Sequence, residues 1–140
     1  MAFNMVELAE YVAEKAHFGQ VDKAGVDYIN HPKAVSMLLE GEKEKICAYL
    51  HDVLEDTDFS EQSLRTLFGD EIVDVLLILT HDKNESYEDY IMRIATSPIA
   101  RAVKIAHLTH NSDLSRLKSI SNKDIERYNK YQSALEKLKN

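Results

Sequence analysis

The stretch from Ile46 to Thr57 reads ICAYLHDVLEDT, and it decides the fold because an apolar helical run ends in a dense group of polar side chains. His51 and Asp52 follow the apolar residues directly, and Glu55 lies one helical turn beyond His51 on the same face. Imidazole and carboxylate groups are good ligands for a divalent transition metal. A bound cation would also remove the repulsion among the neighbouring acids. The stretch therefore predicts a helix that ends at a metal site.

Taken alone, this stretch is more typical of a polar helix end followed by a solvated turn. Two other segments favour the metal site. His31 begins a separate predicted helix and could face the first pair. In the predicted helix 98–111 the polar residues share one stripe, whereas the opposite face is apolar; the stripe consists of Lys104, His107, His110 and Asn111. Polar groups on such an apolar helix need partners, because unpaired burial is costly.

Helix breakers are rare, with four Gly and two Pro among 140 residues, and no segment shows β-branched alternation. We expect an all-α fold, a single domain over residues 1–140, with about seven to eight helices. The predicted helices cover 3–18, 31–40, 43–55, 61–68, a segment through 79 capped by Asp70, a segment capped by Ser86, 98–111 and 122–139. Asn30 is the predicted cap of the second helix, and Gly41 its end. The charge-rich last helix is expected to lie across the outside.

The composition narrows the classes of function. With 17 basic and 24 acidic side chains the net charge is −7, which disfavours nucleic-acid binding through the whole surface. No stretch approaches the ~20 apolar residues of a membrane span, and no signal peptide is recognised. The single cysteine, Cys47, excludes a disulfide within the chain and is expected to be a buried small hydrophobe in a cytoplasmic protein. The sequence leaves the oligomeric state open.

Several motifs follow one another in a fixed order over residues 16 to 116. They are AHFGQ (16–20) with Lys23 and Gly25, YINHP (28–32), LHDVLEDT (50–57), and VKIA (103–106) leading to His110 and Asn111. In this order and approximate spacing they resemble the hydrolase domain of the RelA/SpoT family, a branch of the HD superfamily, and especially its small stand-alone members.

The resemblance implies a metal-dependent hydrolase. The family's usual metal is manganese, and its reference reaction removes the 3′-pyrophosphate from guanosine tetra- or pentaphosphate. The matching positions imply His31, His51 and Asp52 as metal ligands, Glu55 and Asp56 as the acidic pair that orients and activates water, Lys23 in the substrate loop, and Asn111 as a substrate- or site-ordering residue.

Two positions depart from the family pattern. The family's last ligand is an aspartate four residues before the asparagine, and here that position is His107. A site of three His and one Asp is the prediction, and it favours zinc, iron, cobalt or nickel over harder ions. The family often has an arginine at position 22, where it contacts the nucleotide base, but Asp22 cannot do so. The guanosine substrate is therefore less certain than hydrolysis.

The predicted mechanism is metal-assisted hydrolysis of a phosphoester or pyrophosphate. Glu55 takes or holds the proton of water, and Asp56 assists or protonates the leaving oxygen. Lys23 and Lys104 neutralise phosphoryl charge, although Lys104 is equally consistent with a surface lysine. Two alternatives stay open: a nucleotidase or phosphodiesterase on the same scaffold, and a nucleotide-binding regulatory module whose catalysis has decayed.

Overall fold

The computed structural model describes residues 4–22 and 24–140, without the side chain of Arg116. These residues form eight α-helices and one 3-10 turn, Leu114–Arg116, and they contain no strand. The predicted all-α fold is confirmed. The helices are α1 Met5–Ala16, α2 Asn30–Met37, α3 Glu42–Asp56, α4 Glu61–Phe68, α5 Asp70–Leu79, α6 Tyr87–Ala95, α7 Pro98–Asn111 and α8 Asn122–Lys139.

Serine side chains cap the start of several helices. The side chains of Ser60, Ser86 and Ser97 each accept a hydrogen bond from the backbone N–H three residues on. The predicted caps Asn30 and Asp70 are wrong, because each is the first helical residue. A turn in which Asn30 N–H donates to Asp27 C=O leads directly into α2. Gly69, with φ at 90°, precedes α5.

The predicted end of the second helix is also wrong. This helix stops at Met37, and the N–H groups of Leu38 and Leu39 donate to carbonyls three residues back, as in a tightening last turn. Gly41 instead precedes α3 as its N-cap residue. The predicted start of the first helix at residue 3 lies outside the described residues.

Helix α3 is the centre of the domain and contacts α1, α2, α5 and α7. Every residue from Ile46 to Val53 is buried, so the apolar run of this helix is enclosed on all sides. Cys47 is fully buried, and burial raises the pKa of its thiol to about 12, as suits a small core hydrophobe. This packing also encloses His51 and Asp52, which end the buried run.

The last helix has a larger role than its charge suggests. Much of α8 is exposed, as expected, but Ala134, Leu135 and Leu138 are buried where it packs against α6 and α7. Its start has a reciprocal capping box between Ser121 and Asp124. In the described ranges no helix combines the length and apolarity that crossing a bilayer requires.

Candidate metal centre

Four predicted ligands from three helices converge. His31 lies in the first turn of α2, His51 and Asp52 near the end of α3, and His107 in the second half of α7. Ligand atoms of His31, Asp52 and His107 all lie within 4.8 Å of one another. Nε2 of His51 is 3.0 Å from Oδ1 of Asp52. The ring centroid of His107 is 4.8 Å from that of His31 and 4.8 Å from that of His51.

Each of three converging side chains makes a further polar contact. Nδ1 of His31 is 2.8 Å from Nδ1 of His110, and Nδ1 of His51 is 3.3 Å from the carbonyl of Ala48. The hydroxyl of Tyr28 donates a hydrogen bond to Oδ2 of Asp52. Metal-binding histidines in proteins usually have such a partner on the ring nitrogen that does not bind the ion. The contacts leave Nε2 of both rings and Oδ1 of Asp52 as candidate ligand atoms.

The residues present fit a divalent transition metal. Nδ1 of His107 is buried without a hydrogen-bond partner among the described residues, and an ion would give that nitrogen a partner. Ligand atoms that each lie about 2.1 Å from one tetrahedrally coordinated ion are roughly 3.4 Å apart. Nε2 of His51 and Oδ1 of Asp52, 3.0 Å apart, lie close to this separation. Three imidazoles and one carboxylate form a typical donor set for such metals.

The electrostatics of the centre favour ligand-competent protonation states of His107 and Asp52. Burial, followed by the positive charges of His51 and Lys104, holds the pKa of His107 well below its usual value, so that its ring is neutral. Burial acts to raise the pKa of Asp52, but His51, His107 and Tyr28 together outweigh it and lower this pKa far below the usual range. Burial acts to lower the pKa of His51, but the carboxylate of Asp52 raises it. Without a cation, Asp52 therefore relies on His51 for charge compensation.

Glu55 and Asp56 follow this centre in the last turn of α3 and are exposed. The pKa of each is raised, first by partial burial and then by the negative charge of Asp52. Their charges are thus coupled to the centre, although neither belongs to the group of converging ligand atoms.

Lys104 is 9% exposed, so the alternative of a surface lysine is wrong. Its Nζ lies 5.0 Å from the ring centroid of Tyr90. Burial lowers the pKa of Lys104 to about 8, against the attraction of Asp52 and Glu55. The structure thus holds a buried cation on the α7 stripe, where the negative charges of α3 act on it.

A cavity of about 370 Å³ opens over the centre. This volume lies within the range of small-molecule sites. Tyr28, His31, Asp52, His107 and Asn111 line its metal-centre side; Asp22, Ala24, Asp113, Leu114 and Leu117 contribute from two loops, and Asp124, Arg127, Tyr128 and Tyr131 from α8. Sequence reasoning missed the α8 contribution. The only signal for this contribution was the helical spacing of one basic residue, Arg127, and two aromatic residues, Tyr128 and Tyr131.

The substrate residues predicted from the sequence have different outcomes. Asn111 lines the cavity, with Nδ2 3.4 Å from Nε2 of His107. Lys23 lies outside the described residues. Oδ1 of Asp22 accepts hydrogen bonds from the N–H groups of Ala24 and Val26, so the acid at this position shapes the loop.

The sequence is similar to parts of much longer curated proteins. It is 33% identical over 119 residues to the "GTP pyrophosphokinase" of Streptomyces coelicolor, which covers 76% of this chain and 14% of that protein. It is 32% identical over 118 residues to the "Bifunctional (p)ppGpp synthase/hydrolase SpoT" of Escherichia coli K12, with 74% and 17% covered. The chain thus spans about a sixth of these relatives. No family model matches the sequence.

Among solved structures, the fold is similar to that described as "A metazoan ortholog of SpoT hydrolyzes ppGpp and plays a role in starvation responses". The TM-score is 0.80 at 23% identity, over 99% of this chain and 86% of that one. The chain therefore shares an all-helical fold with that structure. Its sequence is RelA/SpoT-like, as its motifs predicted.

Proposed function

We propose that this protein is a metal-dependent phosphohydrolase that acts on a nucleotide, resembling guanosine 3′,5′-bis(diphosphate) 3′-pyrophosphohydrolase. The observation that carries the proposal is the convergence of His31, His51, Asp52 and His107 beside a cavity of about 370 Å³. The names of relatives support it, since several are called 3′-pyrophosphohydrolases of this nucleotide. Because the chain spans only a fraction of those proteins, their activity is assigned here as a proposal.

The four converging residues would hold one divalent ion. When bound, the ion supplies Lewis-acid activation of water and positive charge for phosphoryl oxygens. Manganese is the metal that the family resemblance implies. The three imidazoles of this chain favour zinc, iron, cobalt or nickel instead, because nitrogen ligands suit these borderline ions better than hard ones.

In this proposal Glu55 holds the proton that leaves the attacking water, and Asp56 assists or protonates the leaving oxygen. The raised pKa of each acid supports these roles, because a carboxylate is a stronger base when its pKa lies closer to the working pH. Buried Lys104 contributes positive charge near Asp52 and Glu55.

The nucleotide is proposed to lie between the metal centre and α8. Arg127 offers a guanidinium for phosphate or base, and Tyr128 and Tyr131 offer aromatic faces for stacking. Asn111 and Lys23 are further substrate-binding residues predicted from the sequence. Since Asp22 supplies a carboxylate instead of the arginine common in the family, we expect recognition of the base to differ from that of the relatives.

A nucleotidase or phosphodiesterase is the second candidate, and the acids of the cavity favour it. Asp22, Asp113 and Asp124 all line the cavity. Like-charge repulsion disfavours the most highly phosphorylated substrates, so a nucleotide with fewer phosphates fits this lining better.

Parallel hydrolysis assays separate these functions. The purified protein, loaded in turn with Mn²⁺, Zn²⁺ and Co²⁺, is incubated with guanosine tetraphosphate, nucleoside monophosphates and cyclic nucleotides. Release of pyrophosphate from guanosine tetraphosphate supports the proposal, and the double variant Glu55→Gln, Asp56→Asn is the inactive control. Preferred turnover of monophosphates or cyclic nucleotides supports the second candidate. Nucleotide binding without turnover under every metal contradicts both and identifies a regulatory binding module.

A further inference from the structure

In the converging side chains, some polar atoms contact the surrounding protein and others are candidates to bind the ion. His31 and His51 each use Nδ1 for a contact with the protein, to His110 and to the carbonyl of Ala48. Because Nδ1 of each ring has a protein partner, Nε2 is the candidate ligand nitrogen of each, and that of His51 lies 3.0 Å from Oδ1 of the neighbouring ligand Asp52. These two histidines are thus arranged to bind through Nε2.

His107 shows the opposite arrangement. Its Nε2 is the nitrogen with a neighbour, because Nδ2 of Asn111 lies 3.4 Å away. Its Nδ1 is buried and has no hydrogen-bond partner in the described chain. The ring stands edge-on to both His31 and His51, with interplanar angles of 68° and 82°. The unpaired nitrogen of this ring is therefore Nδ1.

The number of bonds between Nδ1 and the backbone suits a ligand atom at position 107. Nδ1 is bonded to Cγ, two bonds from Cβ, as are the carboxylate oxygens of aspartate. An aspartate occupies this position in the family that the sequence resembles. A histidine that binds through Nδ1 therefore replaces a carboxylate oxygen with a nitrogen that is separated from the backbone by the same number of bonds. It also introduces an N–H at Nε2, which needs an acceptor when buried.

We propose that His107 binds the divalent ion through Nδ1, and that Asn111 is a positioning residue that accepts the Nε2–H hydrogen bond. A half-turn of the Asn111 carboxamide brings Oδ1 to the place of Nδ2, since the two ends have the same shape. This inference rests on the proposed function only in that the site holds a divalent ion. It assigns Asn111 to the orientation of a ligand, and not primarily to the substrate.

Metal affinity tests the pair without any use of enzymatic activity. Dissociation constants for Zn²⁺ and Co²⁺ are measured by competition with a chromophoric chelator, and folding of each variant is checked by circular dichroism. We expect Asn111→Ala to weaken binding about tenfold or more, the range typical of groups that orient a ligand. Asn111→Asp, which keeps an acceptor and adds a negative charge beside the ion, should bind at least as tightly as the wild type.

The decisive comparison is the effect of Asn111→Ala on metal affinity in the wild type and in a His107→Asp background. An aspartate has no ring N–H to orient, so Asn111→Ala should change affinity less than about twofold there. Equal losses in the two backgrounds would overturn the proposal, because a merely structural role of Asn111 does not depend on the ligand at position 107.

A second readout is taken on the wild-type chain, and a variant serves only to assign its signals. Long-range ¹H–¹⁵N spectra of the zinc-loaded protein show which ring nitrogen of each histidine carries a proton. We expect His107 alone among the three histidine ligands to be protonated at Nε2, with its signals assigned through their loss in His107→Asp. A proton on Nδ1 of His107 would refute the inference even if the protein hydrolyses nucleotides. Conversely, Nε2 protonation without hydrolysis would refute only the proposed function.

Discussion

Nδ1 of His31 lies 2.8 Å from Nδ1 of His110, so a hydrogen bond joins the first turn of α2 to the last turn of α7. One ring must donate and the other accept, so the contact fixes the tautomer of both rings and makes Nε2 of His31 its candidate ligand nitrogen. His31 is only 8% exposed, and a second ring, that of His107, stands 4.8 Å from it. His110 therefore controls the orientation of a proposed ligand that lies 79 positions away in sequence.

The first prediction concerns this histidine pair. We expect His110→Ala to weaken zinc binding roughly tenfold or more, because His31 then loses a group that orients its ring. Isothermal titration of the metal-free protein measures the change. Thr109→Ala is the matched control, since Thr109 is exposed on the same helix turn and bonds only locally to Ile105 C=O. Equal affinities of the two variants would contradict the role of His110.

The second prediction concerns the hydroxyl of Tyr28, which donates to Asp52. Asp52 is buried and its pKa is lowered, so this bond goes to a charged oxygen. We expect Tyr28→Phe to lower the free energy of unfolding by about 2 kcal/mol in urea denaturation of the metal-free protein. Tyr49→Phe removes a longer bond, 3.2 Å, to the more exposed Glu10, and should cost less. A larger loss for Tyr49→Phe would be inconsistent with a strong bond to Asp52.

The third prediction follows from the pKa of Lys104, which burial lowers from 10.5 to about 8. Between these two values the unfolded chain binds more protons than the folded chain, so the contribution of Lys104 to stability improves as the pH rises. We expect the stability of the wild type relative to Lys104→Met to increase by about 2 kcal/mol between pH 7 and pH 10. Chemical denaturation of both metal-free proteins measures it. A pH-independent difference would show that Lys104 titrates normally.

The fourth prediction concerns Glu55. If it holds the proton of the attacking water, Glu55→Gln should lower kcat by about 10²- to 10⁴-fold. Metal affinity should change little, because Glu55 is not among the converging ligand atoms. Asp58→Asn is the control, since Asp58 is an exposed acid just beyond the same helix. Comparable kcat values for the two variants would remove Glu55 from the mechanism.

Local signals explain what the sequence predicted well. The bounds of α4, α7 and α8 match the predicted 61–68, 98–111 and 122–139, because a side-chain cap begins each of these helices. The predicted caps Asn30 and Asp70 are wrong, because a turn leads directly into α2 and a glycine precedes α5. The order of the motifs was enough to predict that the four proposed ligands come together, since each lies on a strongly patterned helix.

Tertiary contacts explain what the sequence could not predict. The place of α8 beside the cavity depends on its packing against α6 and α7, which no pattern within α8 encodes. The pairing of Tyr28 with Asp52 and the burial of Lys104 arise in the same way. The cytoplasmic location, the lack of nucleic-acid partners and the roles of the site residues stay predictions.

The metal content of the purified chain tests the central claim most directly. Elemental analysis after dialysis against a divalent-metal mixture should find one transition-metal ion per chain, and the ion should be lost from both His31→Ala and Asp52→Ala. A wild-type chain that is folded by circular dichroism but holds no more metal than these two variants would contradict the account.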